Sequence, residues 1–408
     1  MINKDIIIIG GGASGMMCAV KAKENNPDKS VLILEKQNKI GRKLLSTGNG
    51  RCNLTNSDAD NTEHYHGSFK KNLKTMFKSC DMMNMMEQFS NLGLTVNSDS
   101  EGRYYPFSNH AGTVLDLLRF RLKELNVDIV CDNKVNSIEK KEDLFIVSSD
   151  KDKYSCKKLV VSTGSPASPK LGSDKSGLSL LEKLGHKVIP LSPALCPLEV
   201  EDKAIMPSIK GVRQKGIVSL YDGDELIKTE SGEIQFTDSS LSGICVFNLS
   251  SYVQELKNPI VSLNINYDKD NYGQLLYILK LNKTRFKTRE IKNFLDGFYV
   301  NKLGVALLKS AGINKLNRPV STLSKDEIDN ICDTIYNWKF AVKKPADYSK
   351  AQVCSGGVFG DEINPKTMES KIIKGLYICG EAVDINGDCG GFNLNFAFTS
   401  GIIAGESV

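Results

Sequence analysis

The sequence has no apolar run that could cross a membrane: the one near its start, Ile6 to Ile9, ends after four residues at a glycine, against the ~20 that a spanning helix needs. Met1 to Lys4 carries no basic segment leading into an apolar stretch with a small-residue cleavage site, so a cytoplasmic protein is expected. CxxC pairs and zinc-ligand spacings are missing, and no metal site is expected. The eleven cysteines are odd in number and scattered, which reads as reduced thiols rather than a disulfide framework. Internal repeats and low-complexity tracts are also absent, and nothing marks a stable protein partner.

What is present is the composition of a folded chain. Hydrophobic residues make up 40% and charged residues 25% of 408 positions, enough for a large core and for roughly two to three domains. A net charge of +5 does not by itself point to nucleic acid. Its distribution is more informative: Lys280 to Arg318 holds ten basic residues against two acidic ones, a surplus of eight that exceeds that of the whole chain. Such a segment is either a solvated helical face or a patch for phosphates.

Residues 5 to 35 read as strand, glycine turn, helix and strand: Asp5 to Ile9, then Ala13 to Asn25, then Val31 to Glu35. This opens a Rossmann-like fold of the α/β class. Short strands are expected at Val127 to Cys131, Leu144 to Ser149 and Lys158 to Ser162, as a β-meander returning to the parallel sheet. Pro190, Pro193, Pro197 and Pro207 then punctuate short alternating segments, expected as a β-rich insert over 191–268 and about 337–349. A helical insert is expected over 269–336, with the capping-box pattern Ser324 to Glu327 starting its last helix. The Rossmann-like domain would take 1–190 and 350–408, closing with a helix from about Asn393 to Ala404.

Gly10-Gly-Gly12-Ala13-Ser14-Gly15 matches GxGxxG directly after a strand and at the opening of a helix. Gly10 permits the tight turn, Gly12 lets the backbone approach a pyrophosphate, and Gly15 allows close packing, while the helix N-terminus supplies N–H groups and a positive dipole. Twenty residues after Gly15, Glu35 can accept from adenosine ribose hydroxyls. An acid there disfavours a 2′-phosphate, leaving FAD or NAD. The strand Gly375 to Gly380 delivers Glu381, and the loop Gly387 to Asn393 opens a helix whose first N–H groups, at Gly391, Phe392 and Asn393, suit negative charge on a flavin. This second half-site favours FAD, and the lack of a second GxGxxG argues against a built-in nicotinamide domain.

These residues, together with Gly41 to Lys43, Thr47 to Asn56, Gly102 to Ser108, Ser162 to Gly164, Gly185-His186, Pro193 to Leu198, Phe236-Thr237, Leu241 to Gly243, Ala351 to Val353 and Gly356-Gly357, give a resemblance over nearly the whole chain. The chain resembles the BaiN/RdsA-like family of FAD-binding NAD(P)/FAD-dependent oxidoreductases, also called aminoacetone-oxidase-like flavoproteins. The resemblance implies a Rossmann-like FAD domain carrying a β-barrel-like and a helical insert. It also implies NAD(P)H as transient reductant. Ser165 and Ala167 replace a more usual glycine and aromatic, and Cys389 stands where threonine is expected.

Within the block Thr47, Gly48, Asn49, Gly50, Arg51, Cys52 and Asn53, backbone and amide donors can serve phosphates and the flavin edge, with Arg42 and Lys43 neutralising pyrophosphate. Lys36, Val135, Thr163, Gly164 and Gly380 complete the expected cofactor contacts. Cys52 is read either as a proton donor or as a small packed residue. Cys389 is read in the same two ways, Arg103, Tyr104 and Tyr105 are rival donors or substrate contacts, and His186 is a satisfied loop histidine. Family members are associated with reduction of uracil in ribosomal RNA, reduction of unsaturated steroid acids, and amine oxidation. The basic segment, with Lys283, Arg285, Lys287 and Arg289 at its centre, tilts the expectation toward ribosomal RNA. A redox-sensing or RNA-binding protein with a vestigial flavin is the alternative from another class.

Overall fold

A computed structural model describes residues 1–266 and 271–408, which form two compact units, Met1–Pro193 with Ala351–Val408, and Ala194–Lys350. The first unit is built on a five-stranded parallel sheet. Its strands are β1 (Ile6–Ile9), β2 (Val31–Leu34), β3 (Asp128–Val130), β4 (Lys158–Val161) and β5 (Leu376–Ile378), in the order β5-β4-β1-β2-β3. All four residues of β1 and of β2 are buried. Helices and other strands cover both faces of such a sheet, so its central strands read as continuous apolar runs rather than alternations.

The segment at 127–131 was expected in the meander, but the structure places it elsewhere. Asp128–Val130 pairs in parallel with β2 at the edge of the main sheet. Its mixed Asp-Ile-Val sequence fits an edge with two exposed residues. The meander is instead Val135–Lys141, Leu144–Ser149 and Lys153–Cys156, antiparallel throughout, with Ile2–Asn3 added in parallel to the last of them.

Helix α1 (Ala13–Asn25) crosses from β1 to β2. In the second unit six strands close a barrel in the order Leu198–Val200, Ser240–Ser242, Glu225–Phe236, Arg213–Asp222, Pro259–Asn264, Trp338–Pro345. Helices α2 (Tyr272–Arg285), α3 (Asn301–Ser310) and α4 (Lys325–Tyr336) share one apolar core with it, joining Leu263 and Phe340 of the barrel to Leu279, Leu307 and Ile331. Ser324 and Glu327 form the reciprocal capping box at the start of α4. The change from strands to helices expected near residue 268 lies outside the described residues. No helix among the described residues is long and apolar enough to cross a membrane.

The chain closes with α5 (Phe392–Ser407), which begins one residue before the expected Asn393 and packs on α1. Its mean burial is high on every side, because it lies between α1 and the rest of the first unit's core. The two backbones nearly touch: a Cβ at Gly401 would fall 2.5 Å from the Ser14 carbonyl oxygen, and one at Gly405 2.5 Å from that of Cys18. Only a residue without a side chain permits this approach. Gly401→Val should therefore lower stability by ~1–3 kcal/mol through overpacking, read as a lower urea midpoint of the first unit's transition; an unchanged midpoint would show that the helices can separate freely.

Candidate functional site

β1 ends in the glycine turn, where Gly10 takes φ +104° and a Cβ would sit 2.7 Å from the Ser162 carbonyl oxygen. A Cβ at Gly15 would fall 2.0 Å from the Gly10 oxygen, so that glycine is required by packing. Gly12 differs from both, since a Cβ there would meet nothing within 4 Å. Gly12 is also the N-cap of α1 and no side chain caps the helix, so the N–H end at Ala13 and Ser14 faces that open space. Gly380 closes over Ser14 from the other chain end, where its own Cβ would be 2.3 Å from Ser14 Oγ.

Three carboxylates organise the surroundings, each satisfied by donors of the protein. Glu35 accepts from the Gly11 N–H at 2.8 Å and the Gln37 N–H at 2.8 Å, which ties the end of β2 to the glycine turn. Beside it Lys36 pairs with Asp174 at 2.7 Å, and Arg42 donates to Gln37. Val135 is buried at the start of the meander, two residues past Asn133, whose N–H donates to the Glu35 carbonyl at 3.0 Å. Glu381 takes Lys43 Nζ at 2.7 Å, the Ser165 hydroxyl at 2.8 Å and the Cys354 N–H at 3.2 Å. Ser165, a departure from the family pattern, thus supplies a donor to this acid, and Gly164 lies against the same carboxylate.

The Thr47–Asn53 block folds back on itself. Gly48, Asn49, Gly50 and Cys52 all have positive φ, at 57°, 56°, 83° and 60°, and the Cys52 N–H donates to the Thr47 carbonyl at 2.9 Å. Pairing of Thr55 with Tyr104 brings Tyr105 under the block, where the Arg51 guanidinium lies 4.5 Å above its ring. Cys52 is fully buried, and burial pushes its thiol up to about 12 against the lowering effect of the Thr47 hydrogen bond. A thiol held that tightly is a packed residue rather than a ready acid near neutral pH. Tyr105 is nearly buried, and Arg103 is held in ion pairs by Asp99 and Glu101. Asn53 Oδ1 and Thr163 Oγ1 are buried with no hydrogen-bond partner among the described residues. With the open face of Gly12, these two orphaned oxygens fit a polar ligand lying along both chain ends.

At the start of α5, Gly391 takes φ +111° and no side chain caps the helix. The Asn393 amide is turned back onto its own loop, accepting from the Gly387 N–H at 2.8 Å and donating to the Gly387 carbonyl at 2.7 Å. Its side chain is thereby a brace for the loop and does not cap the helix.

The third carboxylate was not singled out by the sequence. Asn386–Gly387 pairs with Tyr65–His66, which brings Asp388 to two histidines: His66 Nε2 lies 2.8 Å from Asp388 Oδ1, and His64 Nδ1 3.1 Å from Oδ2. The other nitrogen of His64 meets Asp58 Oδ2 at 2.9 Å, and its ring stacks on Phe392 with centroids 4.3 Å apart. Burial raises the Asp388 carboxyl, but the hydrogen bonds and charge of His66 and His64 outweigh it and leave the group lowered. The signal available was the His-x-His spacing in a chain with four histidines. Partly exposed Cys389 follows Asp388. His186 is satisfied by Glu362 at 2.8 Å and Ser370 at 3.0 Å.

In the second unit, Lys283 and Arg285 occupy the last turn of α2, and Lys287 and Arg289 the turn that follows. Among the described residues none of the four has an acidic partner, and Arg289 lies 4.1 Å over the Phe286 ring. Elsewhere in the basic segment Lys280 pairs with Asp329, Lys292 with Glu290 and Arg318 with Glu327.

Residues 4–407 match the HI0933-like protein Rossmann domain. A 3-dehydro-bile acid delta(4,6)-reductase of Clostridium scindens is 33% identical over 405 residues, 98% of each chain. A ribosomal RNA dihydrouridine synthase of Haemophilus influenzae is 27% identical over 412 residues, again 98% of each. The ribosomal RNA dihydrouridine synthase of Escherichia coli is 27% identical over 400 residues, 97% of this chain and 96% of its own.

A carboxyl with a native pKa below its unfolded value of ~3.9 stabilises the fold above that value and ceases to do so as pH falls through the native one. Asp388→Asn should thus lower the urea stability at pH 7 by ~1.5–3 kcal/mol, and the gap from the parent should close as the solution is acidified. A gap that persists at acid pH would show that shape, not charge, matters there.

Proposed function

The chain belongs to the HI0933-like family of FAD-dependent oxidoreductases, and on that premise we propose that it takes reducing equivalents from NAD(P)H to saturate a conjugated C=C bond, the substrate being a uridine of ribosomal RNA. The names of the relatives share this chemistry, since a delta(4,6)-reductase and a dihydrouridine synthase each saturate a double bond conjugated to a carbonyl. Bound FAD supplies two-electron transfer between the nicotinamide and that bond.

The residues of this chain assigned to hold FAD are those with room or unsatisfied groups. The Gly10, Gly12 and Gly15 turn with the N–H groups of Ala13 and Ser14 takes the pyrophosphate. Glu35, already oriented by Gly11 and Gln37, keeps lone pairs for the ribose, with Val135 and Lys36 alongside. Lys43, bridged to Glu381, places positive charge between Gly164 and Gly380, and Asn53 and Thr163 offer their orphaned oxygens. The uncapped start of α5 offers N–H groups to negative charge on the flavin.

The single observation that carries RNA as the substrate is the cluster Lys283, Arg285, Lys287 and Arg289, cations with no acidic partner among the described residues. A small enone has no use for such a surface, whereas an RNA strand releases counterions on meeting it. The second reading, a small-molecule enone reductase, is favoured by the 33% identity to the bile acid reductase.

Two outcomes test these assignments. The purified protein should release FAD rather than FMN on denaturation, and Glu35→Ala should lose most of its flavin on gel filtration, since charge-assisted hydrogen bonds of ~1.5–3 kcal/mol are removed; full occupancy in the variant would move the adenosine site elsewhere. Binding to an rRNA fragment should weaken steeply with salt, each neutralised phosphate adding about 0.7–0.9 to the logarithmic slope. Changing Lys283, Arg285, Lys287 and Arg289 to Glu should flatten that slope and leave flavin content intact. An unaltered slope would leave the patch a solvated face and favour the enone reading.

A further inference from the structure

The reductive reading leaves a proton unassigned: hydride reaches one carbon of the double bond, and the other carbon needs an acid. Two of the residues first considered are poorly suited, with Cys52 fully buried and its thiol pushed up to about 12, and Tyr105 nearly buried under Arg51. His64 combines what they lack. Its side chain is 33% exposed, it stacks on the first residue of α5, and it is held at both ring nitrogens.

We propose that His64 is the proton donor to the substrate, with Asp388 and Asp58 as the residues that orient it; the inference rests on the reductive reading above. Ionised carboxylates only accept hydrogen bonds. Contacts of 3.1 Å from Nδ1 to Asp388 and 2.9 Å from Nε2 to Asp58 set a carboxylate acceptor at each ring nitrogen, and both are satisfied when each nitrogen carries a proton. The two anchors differ in exposure. The Asp388 side chain is 11% exposed and also holds His66 at 2.8 Å, while the Asp58 side chain, at Nε2, is 57% exposed. Nδ1–H therefore sets the ring, and Nε2–H is the proton that leaves. Glu63, the preceding residue, is bridged to Lys70 at 3.4 Å across exposed surface.

The step balances as follows in atoms and electrons. NAD(P)H loses a hydride and becomes NAD(P)⁺, the alkene π bond breaks, and one carbon gains the hydride as a C–H bond. The other carbon takes the proton from His64 Nε2 as the second C–H bond. The neutral imidazole is then reprotonated from water at the Asp58 edge. Imidazolium is the side-chain acid suited to neutral pH, and stacking on Phe392 sets the ring against the loop, Gly387–Phe392, that the sequence assigns to the flavin side.

The test uses the holoenzyme and two kinds of readout. Long-range nitrogen NMR on ring-labelled protein at pH 7, assigned by the signal lost in His64→Gln, should show both nitrogens of His64 protonated; a single neutral tautomer overturns the proposal without any turnover measurement. In stopped flow, His64→Gln should keep its FAD and its rate of flavin reduction by NAD(P)H, while reoxidation by an unmodified rRNA transcript or an unsaturated 3-oxo steroid acid slows by ~10²–10⁴. Asp58→Asn, an exposed change that removes the acceptor at Nε2, should slow that reoxidation while flavin content and flavin reduction by NAD(P)H stay as in the parent. A parent enzyme that neither substrate reoxidises overturns the reductive reading itself. A parent that turns over, with His64→Gln as fast or with both half-reactions slowed alike, overturns only the role of His64.

Discussion

The contact on which the first unit depends is the backbone approach of α5 to α1, made by Gly401 over Ser14 and Gly405 over Cys18. Both helices begin at glycine caps that no side chain occupies, Gly12 and Gly391. With Ser14 at Gly401 and Cys18 at Gly405 the helices run parallel, and the uncapped start of α5 lies about 13 Å back along its axis from the level of the α1 N-terminus. Side chains at Gly401 or Gly405 would push the helices apart. The candidate cofactor site is thus a consequence of helix packing rather than of any one loop.

Around that packing, carboxylates are fixed before a ligand arrives. Glu35 is held by two backbone N–H groups, Glu381 by Lys43, Ser165 and the Cys354 N–H, and Asp388 by His64 and His66. Each buried or half-buried acid has its donors, as burial of charge requires. Such preorganisation places fixed charge at the site without reorganisation when a ligand binds. The positive φ values through Gly48, Asn49, Gly50 and Cys52 serve the same end, turning backbone groups inward where a regular helix would turn them along its axis.

The second unit follows a different logic. Its barrel and helices share one core, and the acidic residues near the basic segment neutralise Lys280, Lys292 and Arg318. What is left uncompensated is concentrated at the end of α2 and in the turn after it. The C-terminal end of a helix favours cations through its dipole, so Lys283 and Arg285 suit their position for a local reason as well as for any phosphate.

Much of this was legible in the sequence where neighbours along the chain decide the outcome. The β1, glycine turn, α1 and β2 unit formed where the isoleucine run, GxGxxG and Glu35 placed it, because turn geometry and hydrogen bonds over a few residues suffice. The Ser324 to Glu327 cap is equally local. Tertiary structure alone decided that Asp128–Val130 joins the parallel sheet, that Cys52 is sealed from solvent, and that Ser165 reaches Glu381 across 216 residues of sequence. It also decided that His64 meets Asp388 across 324. Burial and side-chain partnership at that distance depend on how strands and helices pair in space, and no pattern of residue spacing within a single segment encodes that pairing.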